Sequence, residues 1–191
     1  MVSIVADKSK MPSACYKLHS EFSGDNKPLA KRGFCARYFN KTVNPVKKQF
    51  IEKNTKKMDK YILKQVEDIC NHTSNLFHQN GFNNIDPNKF LIEIHRYDVD
   101  CIKKDELIKS EFDWHKDDCG AVSYDVCSAI YYLRKDYGII GGDIEFKDFG
   151  VVKIVPPMIL LFNGDLIHRP MPMKGHGCRN SIVVMFKRVK T

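Results

Sequence analysis

The sequence predicts a mainly β fold of the α+β class, in which a jelly-roll-like β domain follows one supporting helix. In the second half, short apolar and β-branched runs recur at roughly ten-residue spacing, which is typical of antiparallel sandwiches and barrels. Turn sequences such as Gly141-Gly142 and Asn163-Gly164-Asp165 separate these runs. Before them, one stretch has apolar residues at helical spacing.

The length of 191 residues and the 43% apolar content suit a single domain, 1–191, with one substantial core. We divide it into three parts. Residues 1–45 have no sustained period and are expected to be irregular or to form short strands, for example at 33–39. Residues 46–80 are expected to form the supporting helix, and residues 88–190 the β domain.

The helix prediction depends on one apolar stripe. Its residues recur at three- and four-residue steps, and Gly81 follows as a stop signal. The stripe consists of Met58, Ile62, Val66, Ile69 and Cys70. We interpret this helix as a packing element on one face of a sheet, and a basic helix for nucleic acid or membrane is the alternative.

The β domain is predicted from six runs with strand-like texture. They are Phe90–Tyr97, Val126–Leu133, Asp143–Phe146, Val151–Val155, Met158–Phe162 and Ser181–Phe186. Residues 98–111, between the first two runs, are highly charged and resemble an insertion or lid.

The net charge of +8 is unevenly distributed. The first 64 residues hold 15 Lys and Arg against 5 Asp and Glu, whereas the remainder is close to neutral. Such a basic region can attract nucleic acid, an acidic protein or an anionic membrane, although a solvated helix face is the simpler interpretation.

The seven cysteines are scattered, odd in number and without a C-x-x-C pair. This pattern argues against a disulfide framework and against a zinc site. No apolar leader precedes the first charged residues, and no apolar run has the length of a transmembrane helix. We therefore expect a cytoplasmic or nuclear protein with reduced thiols, neither secreted nor membrane-bound.

Three residues carry the candidate chemistry. His115 and Asp117 are two residues apart, so in an extended segment both side chains point to the same side. His168 follows the apolar run 158–162 and a turn, near a strand end. Two histidines and one carboxylate form a ligand set typical of non-haem iron, and they leave coordination positions open. Those positions can take a bidentate 2-oxo acid and dioxygen (O2), whereas a closed zinc site would need a fourth ligand.

Arg179 opens the last strong strand, and its planar guanidinium matches a carboxylate. Ser181 lies two residues further and points the same way. Taken singly, each residue has an ordinary interpretation: half-buried histidines, a turn-capping Asp117 and a surface Arg179. Their order and spacing on predicted strands favour a joint site. Trp114 is interpreted either as support for His115 or as core.

The pattern H-x-D, then His168, then Arg179-x-Ser181 resembles the 2-oxoglutarate/Fe(II) oxygenase superfamily, and most closely its prolyl hydroxylase branch. The resemblance covers the carboxy-terminal part, including Tyr131-Tyr132-Leu133, Gly141-Gly142 and Gly177-Cys178-Arg179. It implies a double-stranded β-helix fold of the jelly-roll or cupin-like kind.

The resemblance also implies a ligand set and a cofactor set. Iron(II) would be held by His115, Asp117 and His168, which are also the catalytic centre. The co-substrate 2-oxoglutarate would be bound by Arg179, Tyr131, Ser181 and Tyr97. Dioxygen would be the oxidant, and ascorbate is a candidate reductant.

The implied reaction is hydroxylation of a substrate C–H bond, with decarboxylation of 2-oxoglutarate to succinate. The branch favours a peptide or protein substrate, with proline as the favoured residue. A nucleic-acid base, reached through the basic amino-terminal third, and a small metabolite are the alternatives. A non-enzymatic jelly-roll binding module is the alternative outside catalysis. The sequence does not determine the oligomeric state.

Overall fold

The structure is a computed structural model that describes residues 1–23, 34–39, 60–100, 113–117 and 125–189. The described elements are β1 Val2–Val5, a short 3-10 helix Lys8–Lys10, α1 Ser13–Ser23, β2 Phe34–Phe39, α2 Lys60–Gln79, β3 Ile85–Asp100, β4 Val126–Lys135, β5 Ile139–Gly141, β6 Ile144–Phe146, β7 Gly150–Val152, β8 Met158–Asn163, β9 His168–Pro170 and β10 Met173–Arg188.

The strands form two antiparallel sheets. Among the described residues, the larger sheet has the order β1-β8-β4-β10-β3-β2, and β5 pairs with the first residues of β10. The smaller sheet has the order β7-β6-β9. This arrangement of β strands confirms the predicted mainly β, double-stranded β-helix architecture with a supporting helix.

The two faces of the larger sheet bury different clusters, because side chains alternate along a strand. In β4, Cys127, Ala129, Tyr131 and Leu133 pack with α1 and α2, on what we call the helix face. The even-numbered residues Val126, Ile130 and Tyr132 pack toward the smaller sheet, on what we call the inner face. The inner face is therefore where a site between the sheets can form.

Helix α2 confirms the predicted supporting helix over its described length. Val66, Ile69 and Cys70 are buried against the larger sheet, as the stripe predicts. Gly81 follows the helix with φ of 81°, a conformation that glycine adopts without a steric cost. The predicted start at residue 46, and the residues up to 59, lie outside the described residues.

The prediction for residues 1–45 is wrong in one respect. The strand predicted near 33–39 is present as β2, but Ser13–Ser23 forms a helix. This helix buries Ala14, Cys15 and Leu18 against α2 and the sheet. Polar residues are interspersed among the apolar ones in this short segment, so its periodic signal is weak, and the tertiary contact stabilises the helix.

Several strand bounds differ from the prediction. The first core strand begins at Ile85 and continues to Asp100, so residues 98–100 of the predicted lid belong to β3, and 101–111 lie outside the described residues. Strand β7 ends at Val152 rather than at 155. Strand β10 begins at Met173, before the predicted run.

No helix in the described part of the chain is long and apolar enough to cross a membrane. The described cysteines Cys15, Cys70, Cys127 and Cys178 are thiols rather than halves of disulfides. Burial raises the pKa of the Cys127 thiol to about 11, and it also raises the pKa values of the Cys15 and Cys70 thiols. These three thiols are therefore protonated packing groups at neutral pH.

Candidate metal centre and anion-binding arginine

The segment around His115 is joined by backbone hydrogen bonds to the end of β8 and to β9. His115 and His168 form an isolated antiparallel bridge, in which each amide donates to the other's carbonyl at 2.9 Å. The Asp117 amide donates to the Gly164 carbonyl, also at 2.9 Å. These bonds bring His168 next to His115 and Asp117, which lie about fifty residues earlier in the sequence.

The three side chains converge on one point. Ligand atoms of His115, Asp117 and His168 all lie within 4.8 Å of one another. The Nε2 atoms of His115 and His168 lie 3.7 and 3.6 Å from Asp117 Oδ1. The sequence-predicted iron ligands are therefore placed together, in a geometry that one metal ion could bridge.

Hydrogen bonds fix which atom of each ligand faces that point. The Nδ1 of His115 lies 2.7 Å from the Asp113 carbonyl, and the Nδ1 of His168 lies 2.9 Å from the Leu166 carbonyl. A carbonyl only accepts, so both Nδ1 atoms carry the proton and both Nε2 atoms present a lone pair to a metal. Ser128 donates to Asp117 Oδ2 at 2.5 Å, which leaves Oδ1 facing the histidines.

The surroundings of His168 favour its neutral, metal-binding form. The ring is 3% exposed and packs against Phe146 and Phe162, with ring centroids 5.5 and 4.8 Å away. Burial lowers the pKa of His168, although the nearby Asp117 carboxylate acts in the opposite direction. His115 is more accessible, with about 30% of its side chain exposed, so the open side of the site lies there.

Gly164 allows Asp117 to approach the strand end. A Cβ at position 164 would overlap Val126 Cγ2 and would lie 3.1 Å from the Asp117 Cβ. Neither Ser128 nor Gly164 was singled out from the sequence. Their roles depend on contacts between segments, which sequence spacing does not reveal.

Arg179 is buried on the inner face, with 4% exposure. Its Nη1 donates to the Gly142 carbonyl at 2.6 Å, and Gly142 has φ of 71°. A Cβ at position 142 would lie 2.8 Å from Met173 Sδ and 3.2 Å from Arg179 Nη1. The predicted Gly141-Gly142 turn therefore contacts the guanidinium and accepts a hydrogen bond from it.

One guanidinium nitrogen has no hydrogen-bond partner in the described part of the chain. Among the described residues, Arg179 Nε is the buried side-chain polar atom without a hydrogen bond. A buried cation with an unpaired donor is costly unless an anion completes it. The guanidinium therefore fits a carboxylate ligand that enters between the sheets.

Two tyrosines flank this cation. The Arg179 Cζ lies 5.0 Å from the Tyr97 ring centroid and 5.6 Å from the Tyr132 ring centroid. Burial raises the pKa of Tyr132 to about 12, and both Arg179 and Asp117 influence it electrostatically. Tyr132 is therefore near both Arg179 and Asp117. The predicted residue Tyr97 is placed beside the arginine.

The assignment of Tyr131 to this site is wrong. Tyr131 lies on the helix face, where its hydroxyl is 2.7 Å from Thr73 Oγ1 and 3.0 Å from His72 Nδ1. Adjacent strand residues face opposite ways, so Tyr132 occupies the inner position instead. Ser181 pairs in register with Tyr132 and is 1% exposed, on the same face as Arg179.

Trp114 is neither core nor part of the inner face. It is 38% exposed, and the Arg169 Cζ lies 4.3 Å from its ring centroid. Arg169 in turn forms an ion pair with Glu145 at 2.8 Å. This cluster lies at the outside of the smaller sheet, next to both candidate histidine ligands.

Searches for similar proteins found no matching family model and no matching curated relative. Solved structures do match. IDO from Bacillus thuringiensis has a TM-score of 0.59 at 15% identity, over 99% of this chain and 94% of that chain. A prolyl-4-hydroxylase from Pseudomonas putida has a TM-score of 0.56 at 14% identity, over 99% and 93%. A Neurospora crassa protein, solved in complex with alpha-KG and 5-formyluracil, has a TM-score of 0.54 at 9% identity, over 98% and 74%.

These identities are too low to transfer an activity, but the folds correspond along almost the whole chain. The chain therefore shares the fold of these solved structures, a double-stranded β-helix, as its sequence resemblance predicts.

Proposed function

We propose that the chain is an Fe(II)- and 2-oxoglutarate-dependent dioxygenase that hydroxylates a C–H bond of its substrate. The observation that carries the proposal is the inner face itself. It combines a His-Asp-His group of converging ligand atoms with a buried arginine that has an unpaired donor. A structural metal site would not need the second feature.

The donor set fits iron(II). His115 and His168 offer neutral Nε2 atoms, and Asp117 offers Oδ1, which together make the two-histidine, one-carboxylate set with open positions. When bound, iron would supply the redox chemistry that couples dioxygen to oxidation of the co-substrate. Ser128 would hold the carboxylate in one orientation through its bond to Oδ2.

The arginine fits the far carboxylate of 2-oxoglutarate. Arg179 would bind it through Nε and the remaining Nη donors, since Nη1 already bonds Gly142. Tyr132 and Tyr97 flank the guanidinium, and Tyr132 would add a hydroxyl contact. The apolar cluster of Tyr97, Ile139 and Met173 would keep water from this end.

For the substrate, we propose a peptide or protein hydroxylated in the manner of a prolyl hydroxylase. The likeness to the prolyl-4-hydroxylase from Pseudomonas putida supports this class. A nucleic-acid base is the second candidate, supported by the basic first 64 residues and by the likeness to the Neurospora crassa protein in complex with 5-formyluracil.

The proposal is tested with purified protein, Fe(II), ascorbate and 2-oxoglutarate. We expect succinate to be released slowly even without substrate, and an absorption band when 2-oxoglutarate binds the Fe(II) protein without oxygen. If neither is observed, the chain is a non-enzymatic binding module and the proposal is wrong.

Arg179→Ala tests the anion site. Loss of charge-assisted bonds worth about 1.5–3 kcal/mol would raise the 2-oxoglutarate concentration needed for half-maximal turnover about 10- to 150-fold. Arg134→Ala is the matched control, because Arg134 lies on the neighbouring strand with a 60% exposed side chain paired to Asp136. An unchanged requirement in Arg179→Ala would mean that another cation binds the co-substrate.

The substrate class is tested with a panel of peptides and oligonucleotides incubated with the active protein. Mass spectrometry would detect the gain of one oxygen atom. Oxidation of proline-containing peptides alone supports the first candidate, whereas oxidation of a base alone supports the second.

A further inference from the structure

The inner face of β3 contains a polar pair that neither the metal centre nor the arginine site explains. Glu93 and His95 are 6% and 8% exposed, and with Tyr97 they follow one another at two-residue steps. All three therefore point to the inner face. Their partners in β10 are Val183, Ser181 and Arg179.

The three side chains form a continuous line to the guanidinium. His95 Nε2 lies 3.1 Å from Glu93 Oε2. The His95 ring then meets the Tyr97 ring edge to face, with centroids 6.1 Å apart and an interplanar angle of 72°. The Tyr97 ring lies in turn against the guanidinium of Arg179, at 5.0 Å.

The hydrogen bond fixes the imidazole orientation. A carboxylate accepts, so His95 Nε2 donates and the ring cannot rotate freely about its side-chain bonds. An edge-to-face aromatic contact depends on ring orientation, and its energy falls when either ring turns. The Tyr97 ring therefore has a second oriented contact besides Arg179.

The backbone of His95 is held from the other face of the sheet. His19 of α1 is 4% exposed, and its Nε2 donates to the His95 carbonyl at 3.2 Å. The strand is thus fixed at this residue through both its main chain and its side chain. A buried ionisable pair is rarely the most stable filling for such a position, because apolar residues avoid the desolvation cost.

We propose that Glu93 and His95 are positioning residues for co-substrate binding. They orient Tyr97 against Arg179, and this keeps the guanidinium directed at the distal carboxylate of 2-oxoglutarate. The inference rests on the proposed function, and it adds two residues that do not touch the co-substrate themselves.

The test compares two ligands that differ only at the distal end. In 2-oxopentanoate a methyl group replaces the distal carboxylate of 2-oxoglutarate, while the metal-chelating 2-oxo acid is the same. Binding of each ligand to the full-length Fe(II) protein would be measured without oxygen by the absorption band.

We expect Glu93→Ala and His95→Phe to weaken 2-oxoglutarate binding about tenfold, with 2-oxopentanoate binding unchanged within about twofold. Glu93→Gln keeps a hydrogen-bonding partner for His95 and should restore most of the affinity, whereas His95→Gln lacks the ring that contacts Tyr97 and should not restore it. His95→Phe keeps the volume of the ring, so it provides the test if Glu93→Ala does not fold.

Two results would overturn the inference. One is unchanged 2-oxoglutarate affinity in both Glu93→Ala and His95→Phe. The other is an equal loss for both ligands, which would indicate general damage to the site. Failure of the unmodified protein to bind either ligand would instead refute the proposed function, and the inference with it.

Discussion

The two adjacent tyrosines of β4 allow a paired test of the strand phase. Tyr131 and Tyr132 are 0% and 2% exposed, so burial does not distinguish them. Tyr132 faces Arg179, whereas the Tyr131 hydroxyl bonds residues of α2. The same change, Tyr to Phe, should therefore affect co-substrate binding at one position and stability at the other.

The stability cost of Tyr131→Phe follows from its hydrogen bonds. Thr73 donates its own proton to the Ile69 carbonyl at 2.6 Å, and the Tyr131 hydroxyl is within hydrogen-bond distance of both Thr73 and His72. Removing the hydroxyl leaves both groups without this partner in a buried site. The expected loss is about 1–2 kcal/mol, or a fall in Tm of about 2–8 °C.

Tyr132→Phe should leave Tm nearly unchanged but raise the half-saturating concentration of 2-oxoglutarate about tenfold. The measurements are thermal unfolding by circular dichroism and succinate release against 2-oxoglutarate concentration. The opposite result, in which Tyr131→Phe raises the co-substrate requirement and Tyr132→Phe does not, would refute the placement of Tyr132 at the site.

Three further predictions concern the metal centre and the helix layer. His168→Ala should abolish iron retention, measured by metal analysis after desalting, with little change in the circular dichroism spectrum; retained iron would remove His168 from the ligand set. Gly164→Ala should reduce iron content because its Cβ would displace Val126 and the Asp117 side chain, whereas Gly150→Ala, whose added carbon has no atom within 4 Å and whose φ of 80° adds strain only at the start of β7, should not. Burial lowers the pKa of His72, so the unfolded state binds its proton first as pH falls. The free energy of unfolding should therefore decrease as the pH falls from neutrality through the ordinary pKa range of histidine and below it. The decrease should be smaller in His72→Asn. Equal pH slopes for the two proteins in urea unfolding would contradict this prediction.

The candidate metal ligands could be predicted from the sequence because their chemistry is local. His115 and Asp117 share a side at two-residue spacing, and His168 follows a strand end, so type and spacing carry the signal. Arg179 was also identified, since it opens a strong strand. The residues that position Asp117 could not be predicted from the sequence. Ser128 and Gly164 act on Asp117 through contacts between separate segments of the chain.

The error at Tyr131 has a different physical origin. All of Val126–Leu133 is buried, because helices cover one face of β4 and the smaller sheet covers the other. Strand β4 is buried on both faces and lacks the polar alternation from which its phase could be read. A bulge in the pairing of β4 with β10, between Asn180 and Ser181, also shifts the register of the two strands. The β4 tyrosine that faces Arg179 therefore cannot be found by counting residues along the paired strands.

Strand β3 differs from β4 in the residues of its inner face. Its inner-face positions 93, 95 and 97 are polar or aromatic, whereas the alternating positions Ile92 and Ile94 are apolar and fully buried on the helix face. Polar alternation is therefore present in a strand that is covered on both sides, where packing alone favours apolar residues at every position. The polar and aromatic residues of this face begin at Glu93 and end at Tyr97, beside Arg179. Because they are continuous with Arg179, the roles of Glu93 and His95 are best tested through binding of 2-oxoglutarate, the ligand that the arginine would bind.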